Sequence, residues 1–479
     1  MITPPQYFPD SIEEIAASLP EYNAGDQPAG QVTAFLARWV HPVSATQEVP
    51  LLEALGRVVA QDIISPVNVP PHDNAAMDGY AFASTALASS PVAGICSICK
   101  LRVAGTTLAG AAWRGQVGAA DCVKITTGAV MPAGLDTVVP QELVQTTADG
   151  HISFTADTVR PGANRRRCGE DLTAGGVALA QGTRINPAAL GLLASLGLPQ
   201  VCVLRKLRVA YFSTGDEILA PGQPPREGAV YDSNRFSLFG LLTRLGVELL
   251  DLGAVADEPA ALEATFRRAA QQADVVITSG GVSVGEADHT RATIQKLGDV
   301  AFWRVAMRPG RPMAVGRIHG SQEDWGIGAH SASASGSQNN SSPAFEERSA
   351  ERSGERSGSG PGGAVLFGLP GNPVAVMVSF IAFVRPALLR MMGSSEPPPL
   401  RLKARSTQAL RKAPGRTEYQ RGVVDTAPDG TLQVRTTGHQ GSGLLSSMVQ
   451  ANGLIVLAHD QGPVAVGDWV DVMMFEGAV

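Results

Sequence analysis

"DVVITSGGVSVGEADH", residues 274–289, decides the fold. Val275, Val276 and Ile277 make a short β-branched run that reads as a buried strand, and a pair of glycines ends it. After Glu286 and Asp288 the helical pattern TRATIQKLG (290–298) begins, so the stretch is a strand–loop–helix joint. The same joint recurs on either side. Upstream lie the strand LRVAYFST (207–214), the helix NRFSLFGLLTRLG (234–246), the strand VELLDLGAV (247–255) and the amphipathic helix EPAALEATFRRAAQQA (258–273); downstream lies the strand VAFWRVAM (300–307). This alternation predicts an α/β domain over residues 206–395, a doubly wound parallel sheet with helices on both faces. Its ligand is expected beyond the carboxyl ends of the strands, where STGDE, VADEP and SGGVSVGEAD all fall.

The rest of the 479 residues is organised differently. Residues 1–30, rich in Pro, Ala and Gly, read as a loose tail. A helical pattern starts at Gln31 with Phe35, Leu36 and Trp39, and VPLLEALGRVVAQDI (49–63) reads as a further helix closing into an extended piece. Residues 73–165 are β-rich, with short apolar runs between Gly and Pro turns. INPAALGLLASLGL (185–198) is a short helix with Pro187 near its first turn. Residues 329–362, with almost no apolar side chains, read as a disordered insertion in a hairpin loop between the neighbouring strands MAVGRI and AVLFGLPGNP. The last 80 or so residues are β-rich again and predict a small barrel or sandwich.

With 44% apolar and 17% charged residues, the chain has the composition of a soluble globular protein. A net charge of −6 argues against a nucleic-acid partner. The N-terminus has neither a basic start nor an apolar run, and the longest apolar run, residues 374–384, is too short to span a bilayer. A cytoplasmic protein with no membrane partner is expected. Cys96 and Cys99 form a lone CxxC with no second ligand pair, read as two thiols on alternating faces of a strand.

Three sets of residues carry chemistry. Ser279, Gly280, Gly281 and Ser283 lie between a strand and a helix start, where exposed backbone N–H groups cradle phosphate oxygens; a plain tight turn is the alternative. Asp216 and Glu217, Asp257 and Glu258, and Glu286 and Asp288 stand on the same sheet edge and suggest a magnesium-assisted phosphoryl site, with a solvated acidic rim or, for Asp288, a helix N-cap as the alternatives. Arg304, Arg308 and Arg311 precede or occupy a Pro-Gly turn that would aim three guanidinium groups at one oxyanion. LPGNPVA (369–375), with Pro370 and Pro373, ends a strand and opens a helix. An anionic substrate and metal-dependent chemistry follow, without a named reaction.

HDNAAMDGYAF, KITTGA, NRRRCGED, FSTGDE, VYDSNR, TSGGVSVGEADH, MRPGRP, GLPGNPV and TTGHQGSG together resemble the molybdopterin molybdenumtransferase (MoeA) family, similar also to the E domain of gephyrin. The resemblance runs from about Val43 to the C-terminus, apart from the serine-rich insertion. It implies a discontinuous linker domain (31–72 and 173–205), an inserted β-rich domain (73–172), the molybdopterin-binding α/β domain (206–395) and a C-terminal β-barrel (396–479). It also implies a homodimer whose active site is shared between subunits. The implied reaction inserts molybdenum from molybdate into adenylylated molybdopterin and releases AMP, with Mg2+ assisting and a molybdopterin adenylyltransferase as the upstream partner. By motif register, Asp78 would reach the partner subunit's site, and Thr127, Arg166, Asp171 and Glu217 would be catalytic. Asp257 and Asp288 would hold the metal, while residues 279–283, the three arginines, Pro370 and Pro373 would bind substrate. Arginines stand where the bacterial pattern has lysines, Ala375 where serine is frequent and Cys168 where arginine is frequent. The alternatives are an adenylyltransferase, which would lack the extra domains, and a non-catalytic scaffold of the same fold.

Overall fold

The computed structural model describes residues 12–18, 26–88, 98–281, 289–320 and 363–475. Ser283, Asp288, Cys96 and the insertion at 329–362 lie outside the described residues. The chain forms two compact units, one of residues 1–47, 56–58 and 203–479, the other of residues 48–55 and 59–202.

In the first unit the central strand Arg208–Thr214 shows how the fold arises. Successive side chains point to opposite faces of a strand. Val209 and Tyr211 enter one core with Leu238, Leu241 and Leu242 of the helix Ser233–Leu245; Ala210 and Phe212 enter another with Leu262 and Phe266 of the helix Pro259–Gln272. The neighbouring strands Val275–Ser279 and Ala364–Leu369 divide their residues between the same two cores. A strand covered on both faces has to be apolar throughout, which is why these runs are continuous rather than alternating.

Glu248–Val255, Arg208–Thr214, Val275–Ser279 and Ala364–Leu369 pair in parallel in that order. The sheet is not parallel throughout, however. Gly298–Arg308 and Pro312–Ile318 form an antiparallel hairpin, and the latter strand pairs antiparallel to Ala364–Leu369. Residues 309–311 are too short a connection for the crossover that parallel pairing requires.

Five strands, Arg401–Ser406, Thr417–Thr426, Leu432–Thr436, Gly453–Leu457 and Trp469–Met474, then close into a ring by successive pairing, with Thr417–Thr426 meeting both Leu432–Thr436 and Gly453–Leu457. The C-terminal part is a barrel, filled by Val424, Val434, Ile455 and Val472 among others.

Two helical expectations need correction. Over 49–63 there is no long helix: the strand Thr46–Pro50 is followed by a single 3-10 turn, Leu51–Glu53, and Gly56 takes φ 76°, outside helical space. The run at 374–384, expected to be too short to span a bilayer, lies within a longer helix that continues past Arg385 and Pro386. Phe380–Val384 adopt π-helical geometry just ahead of Pro386, which has no N–H to give the preceding turn, and the helix runs from Pro373 to Met391. By length and composition it could cross a membrane, but 72% of it is buried inside the protein, where its side chains serve the core.

Residues 1–30 are not a loose tail where they are described: Ile12–Ser18 is helical with Ile15 in the larger core, Gln27–Pro28 pair with Val305–Ala306, and the helix Ala29–Trp39 of the first unit adds Val32, Phe35, Leu36 and Trp39 to that core. The second unit is built on a six-stranded sheet that includes Gly79–Phe82, Asp121–Ile125 and Thr137–Pro140. Gly79 is required there, because a Cβ on it would lie 2.0 Å from the Val139 carbonyl oxygen.

Phe266 is fully buried and meets the Phe212 ring edge-on at a centroid distance of 4.9 Å. Phe266→Ala is expected to cost about 3–5 kcal/mol, read as a lower midpoint of chemical unfolding.

Candidate active site

The carboxyl ends of the parallel strands open into a cleft of about 1140 Å³ in the first unit. Its floor comes from residues that end strands: Ser213 and Thr214 from one, Ser279 from the next, and the Pro370–Gly371–Asn372 turn after Leu369. Gly280, at φ 89°, allows the chain to turn there, because a Cβ would meet the Thr214 carbonyl oxygen at 2.3 Å. Hydrogen bonds, two of them buried, tie this floor together. The Ser213 hydroxyl donates to the Asp232 carboxylate at 2.5 Å, and Asp232 also caps the helix Ser233–Leu245 by accepting the Arg235 N–H at 3.0 Å. Asn234 donates its amide to the Gly371 carbonyl at 2.7 Å, tying that helix to the proline turn. The Tyr211 and Ser279 hydroxyls lie 2.7 Å apart beneath the floor.

One side of the cleft is acidic. Glu217 and Asp257 line it, and the Asp257 N–H donates to the Asp216 carboxylate at 3.3 Å. Burial pushes the Asp257 carboxyl up from its ordinary value; the nearby Asp216 and Glu217 charges add to this and His289 opposes it. Asp257 Oδ1 is buried and has no hydrogen-bond partner among the described residues. A carboxylate oxygen left in that state suits a cation.

The other side is basic, but not as expected. Arg308 and Arg311 line the cleft, whereas Arg304 does not. Arg311 instead forms a two-pronged pair with Asp26, and Arg304 Nε lies 3.4 Å from the same carboxylate. The three guanidinium groups therefore do not converge on one point. Arg308 stands apart, beside the fully buried Arg421. Burial, with Arg308 adding to it, brings the Arg421 guanidinium down to about 10. Its donors hold the loop at the cleft edge, reaching the Ser447 hydroxyl at 2.9 Å and the Gly441 and Gln440 carbonyls at 2.9 and 3.3 Å.

In the second unit, Asp78 and Thr127 are brought together. Asp78 Oδ1 accepts both the Thr127 N–H at 2.7 Å and the Thr127 hydroxyl at 2.8 Å. These bonds, the N–H first, hold the exposed Asp78 carboxyl below its ordinary value. Asp73 anchors the loop by accepting the Cys168 N–H at 2.8 Å. Arg166 pairs through its backbone opposite Asn74 in a short antiparallel ladder, and the exposed Asp171 donates its N–H to the Val69 carbonyl at 3.0 Å. Neither side chain touches the Asp78–Thr127 pair by any hydrogen bond among the described residues.

Asp232, Asn234, Arg416 and residues 440–443 line the cleft without having been picked as site residues. Two of these groups sit within sequence patterns already singled out, VYDSNR and TTGHQGSG; an Asp before a helical run is a readable cap signal. Thr127→Val, which removes the hydroxyl bond and leaves the N–H bond, is expected to raise the Asp78 carboxyl toward its ordinary value while keeping it ionised at neutral pH, as followed by carboxyl NMR titration.

Known proteins match this arrangement along nearly the whole chain. The MoeA N-terminal region (domain I and II) matches residues 28–197, the probable molybdopterin binding domain residues 210–390 and the MoeA C-terminal region (domain IV) residues 403–475. The molybdopterin molybdenumtransferase of Haemophilus influenzae is 38% identical over 90% of this chain and 94% of its own length. That of Bacillus subtilis is 32% identical over 86% of each. Gephyrin of Dictyostelium discoideum is 29% identical over 89% of this chain and 59% of its own. The crystal structure of the molybdopterin biosynthesis MoeA protein from Pyrococcus horikoshii OT3 superposes with a TM-score of 0.72 at 25% identity, covering 94% of this chain and all of that one. The chain belongs to the molybdopterin molybdenumtransferase family.

Proposed function

We propose that this protein inserts molybdenum from molybdate into adenylylated molybdopterin and releases AMP. The observation that carries this reading is the cleft itself, which has carboxylates on one side, arginines on the other and strand-end glycines in its floor. Its volume exceeds the ~300–1,000 Å³ of ordinary small-molecule sites, as a pterin joined to a nucleotide requires.

The chain's own groups divide the work. Arg308 and the Gly281 N–H face developing and standing negative charge on phosphate and oxyanion, while the Gly280 N–H is held by the Leu369 carbonyl at 3.2 Å. Burial of Ser213, Thr214 and Ser279 excludes water from the floor and so strengthens these interactions. Glu217, exposed at the strand end, is placed to accept a proton from the water that cleaves the phosphoanhydride. Mg2+ fits the unpartnered Asp257 oxygen, with Asp288 as a second ligand from outside the described residues; when bound it supplies Lewis-acid polarisation of the phosphoanhydride. Two carboxylates, water and substrate oxygens are an ordinary magnesium set.

The same reading includes a homodimer in which Asp78, Thr127, Arg166 and Asp171 of one subunit serve the cleft of the other. Two features support it. Asp78 is exposed yet fixed and ionised, which a plain surface turn does not require. Phe236 and Phe239, one helical turn apart, are 54% and 51% exposed on a helix whose other face is buried, an apolar face suited to a second copy. A cytoplasmic setting and delivery of the adenylate by an adenylyltransferase complete the proposal.

Purified protein given adenylylated molybdopterin, Mg2+ and molybdate is expected to release AMP and yield the molybdenum cofactor. Absence of molybdate-dependent AMP release would remove the reading. Asp78→Ala and Glu217→Ala subunits, each inactive alone, are expected to recover activity when mixed and allowed to exchange, because one site of each mixed dimer is then intact. No recovery would mean that each site draws on a single subunit.

A further inference from the structure

We propose that Asp26 sets the anion affinity of the cleft: it is a built-in counter-ion on Arg311, so that an anionic ligand must compete with its carboxylate for the paired edge of that guanidinium. The inference rests on reading the cleft as an anion site. It goes beyond that reading by assigning a role to a segment that none of the motifs covers.

The geometry follows from strand pairing. Gln27 and Pro28 pair in parallel with Val305 and Ala306, which sets Asp26 level with Arg304. The Val305 N–H donates to the Arg311 carbonyl at 2.8 Å, closing the turn that brings Arg311 to the same place. Asp26 Oδ1 then accepts Arg311 Nε at 3.2 Å, Oδ2 accepts Nη2, and Arg304 Nε completes the cluster at 3.4 Å. One carboxylate thus serves two guanidinium groups, and only Arg311 of the two lines the cleft. The Arg308 side chain makes no hydrogen bond or ion pair among the described residues, so its charge, like that of Arg416, is not offset as that of Arg311 is.

The forked guanidinium matters here. Asp26 takes the Nε–Nη2 edge of Arg311, the edge that would otherwise grip an oxyanion with two parallel bonds, and offsets its charge. The pair is also weak enough to open. Asp26 and Arg311 are 35% and 56% exposed, so solvent screens their attraction and a dianion in the cleft can displace the carboxylate. The predicted consequence is an affinity held below what the cleft's arginines alone would give.

The test measures binding of molybdate, and separately of AMP, to the full chain by calorimetry at low and moderate salt. Asp26→Asn is expected to tighten both by roughly two- to fivefold and to steepen the loss with salt, since the worth of one exposed ion pair is released to the ligand. Asp26→Glu, still anionic, is expected to behave as wild type, and Asp26→Asn with Arg311→Gln to lose the gain. Unchanged or weaker binding by Asp26→Asn, or a gain that survives in the double variant, would overturn the proposal while leaving the cleft's reading intact. Binding by none of the proteins would overturn both.

Discussion

The structure depends on one constraint: the central strands of the α/β unit are covered on both faces. Val209 and Tyr211 go one way and Ala210 and Phe212 the other, so charged side chains have no room until the strand ends. Polarity is therefore displaced to the carboxyl ends, where Ser213, Thr214 and Ser279 are the first hydroxyls along their strands to reach the cleft. Just beyond these residues the parallel pairing ends, and helix N-termini such as that capped by Asp232 arrive alongside. The cleft is the place where the sheet stops satisfying itself.

That origin explains why the floor and the basic wall are held in different ways. The floor is tied by bonds between buried side chains, Ser213 to Asp232 and Tyr211 to Ser279. Such bonds are costly to leave unmade in a low-dielectric surrounding. The basic wall, by contrast, is a half-exposed cluster in which one carboxylate serves two arginines.

The second unit solves a different problem, which is how to hold an exposed carboxylate in one position without burying it. Two bonds from Thr127 fix Asp78, and the tight strand approach at Gly79 leaves the preceding residue no freedom to drift. Glycine is required there by the Val139 carbonyl and not by any unusual dihedral. The aspartate and the glycine in MDGY thus have separate causes, one chemical and one steric.

The sequence by itself determined the α/β alternation, the edge on which the ligand groups gather, the β-rich character of both flanking regions and the family. Those signals are local, being carried by residue type and spacing along one segment. The long helix expected over 49–63 failed because Pro50 and Gly56 set backbone angles that outweigh apolar spacing. Only the tertiary structure decided that the hairpin 298–318 runs antiparallel, that the helix at 373–391 continues through Pro386, and that Arg304 and Arg311 turn to Asp26 rather than toward a common point. Asp26 lies nearly three hundred residues from Arg311 in sequence, and nothing in its neighbours marks it. Which charge meets which is set by strand register, and register is fixed only when the whole sheet has formed.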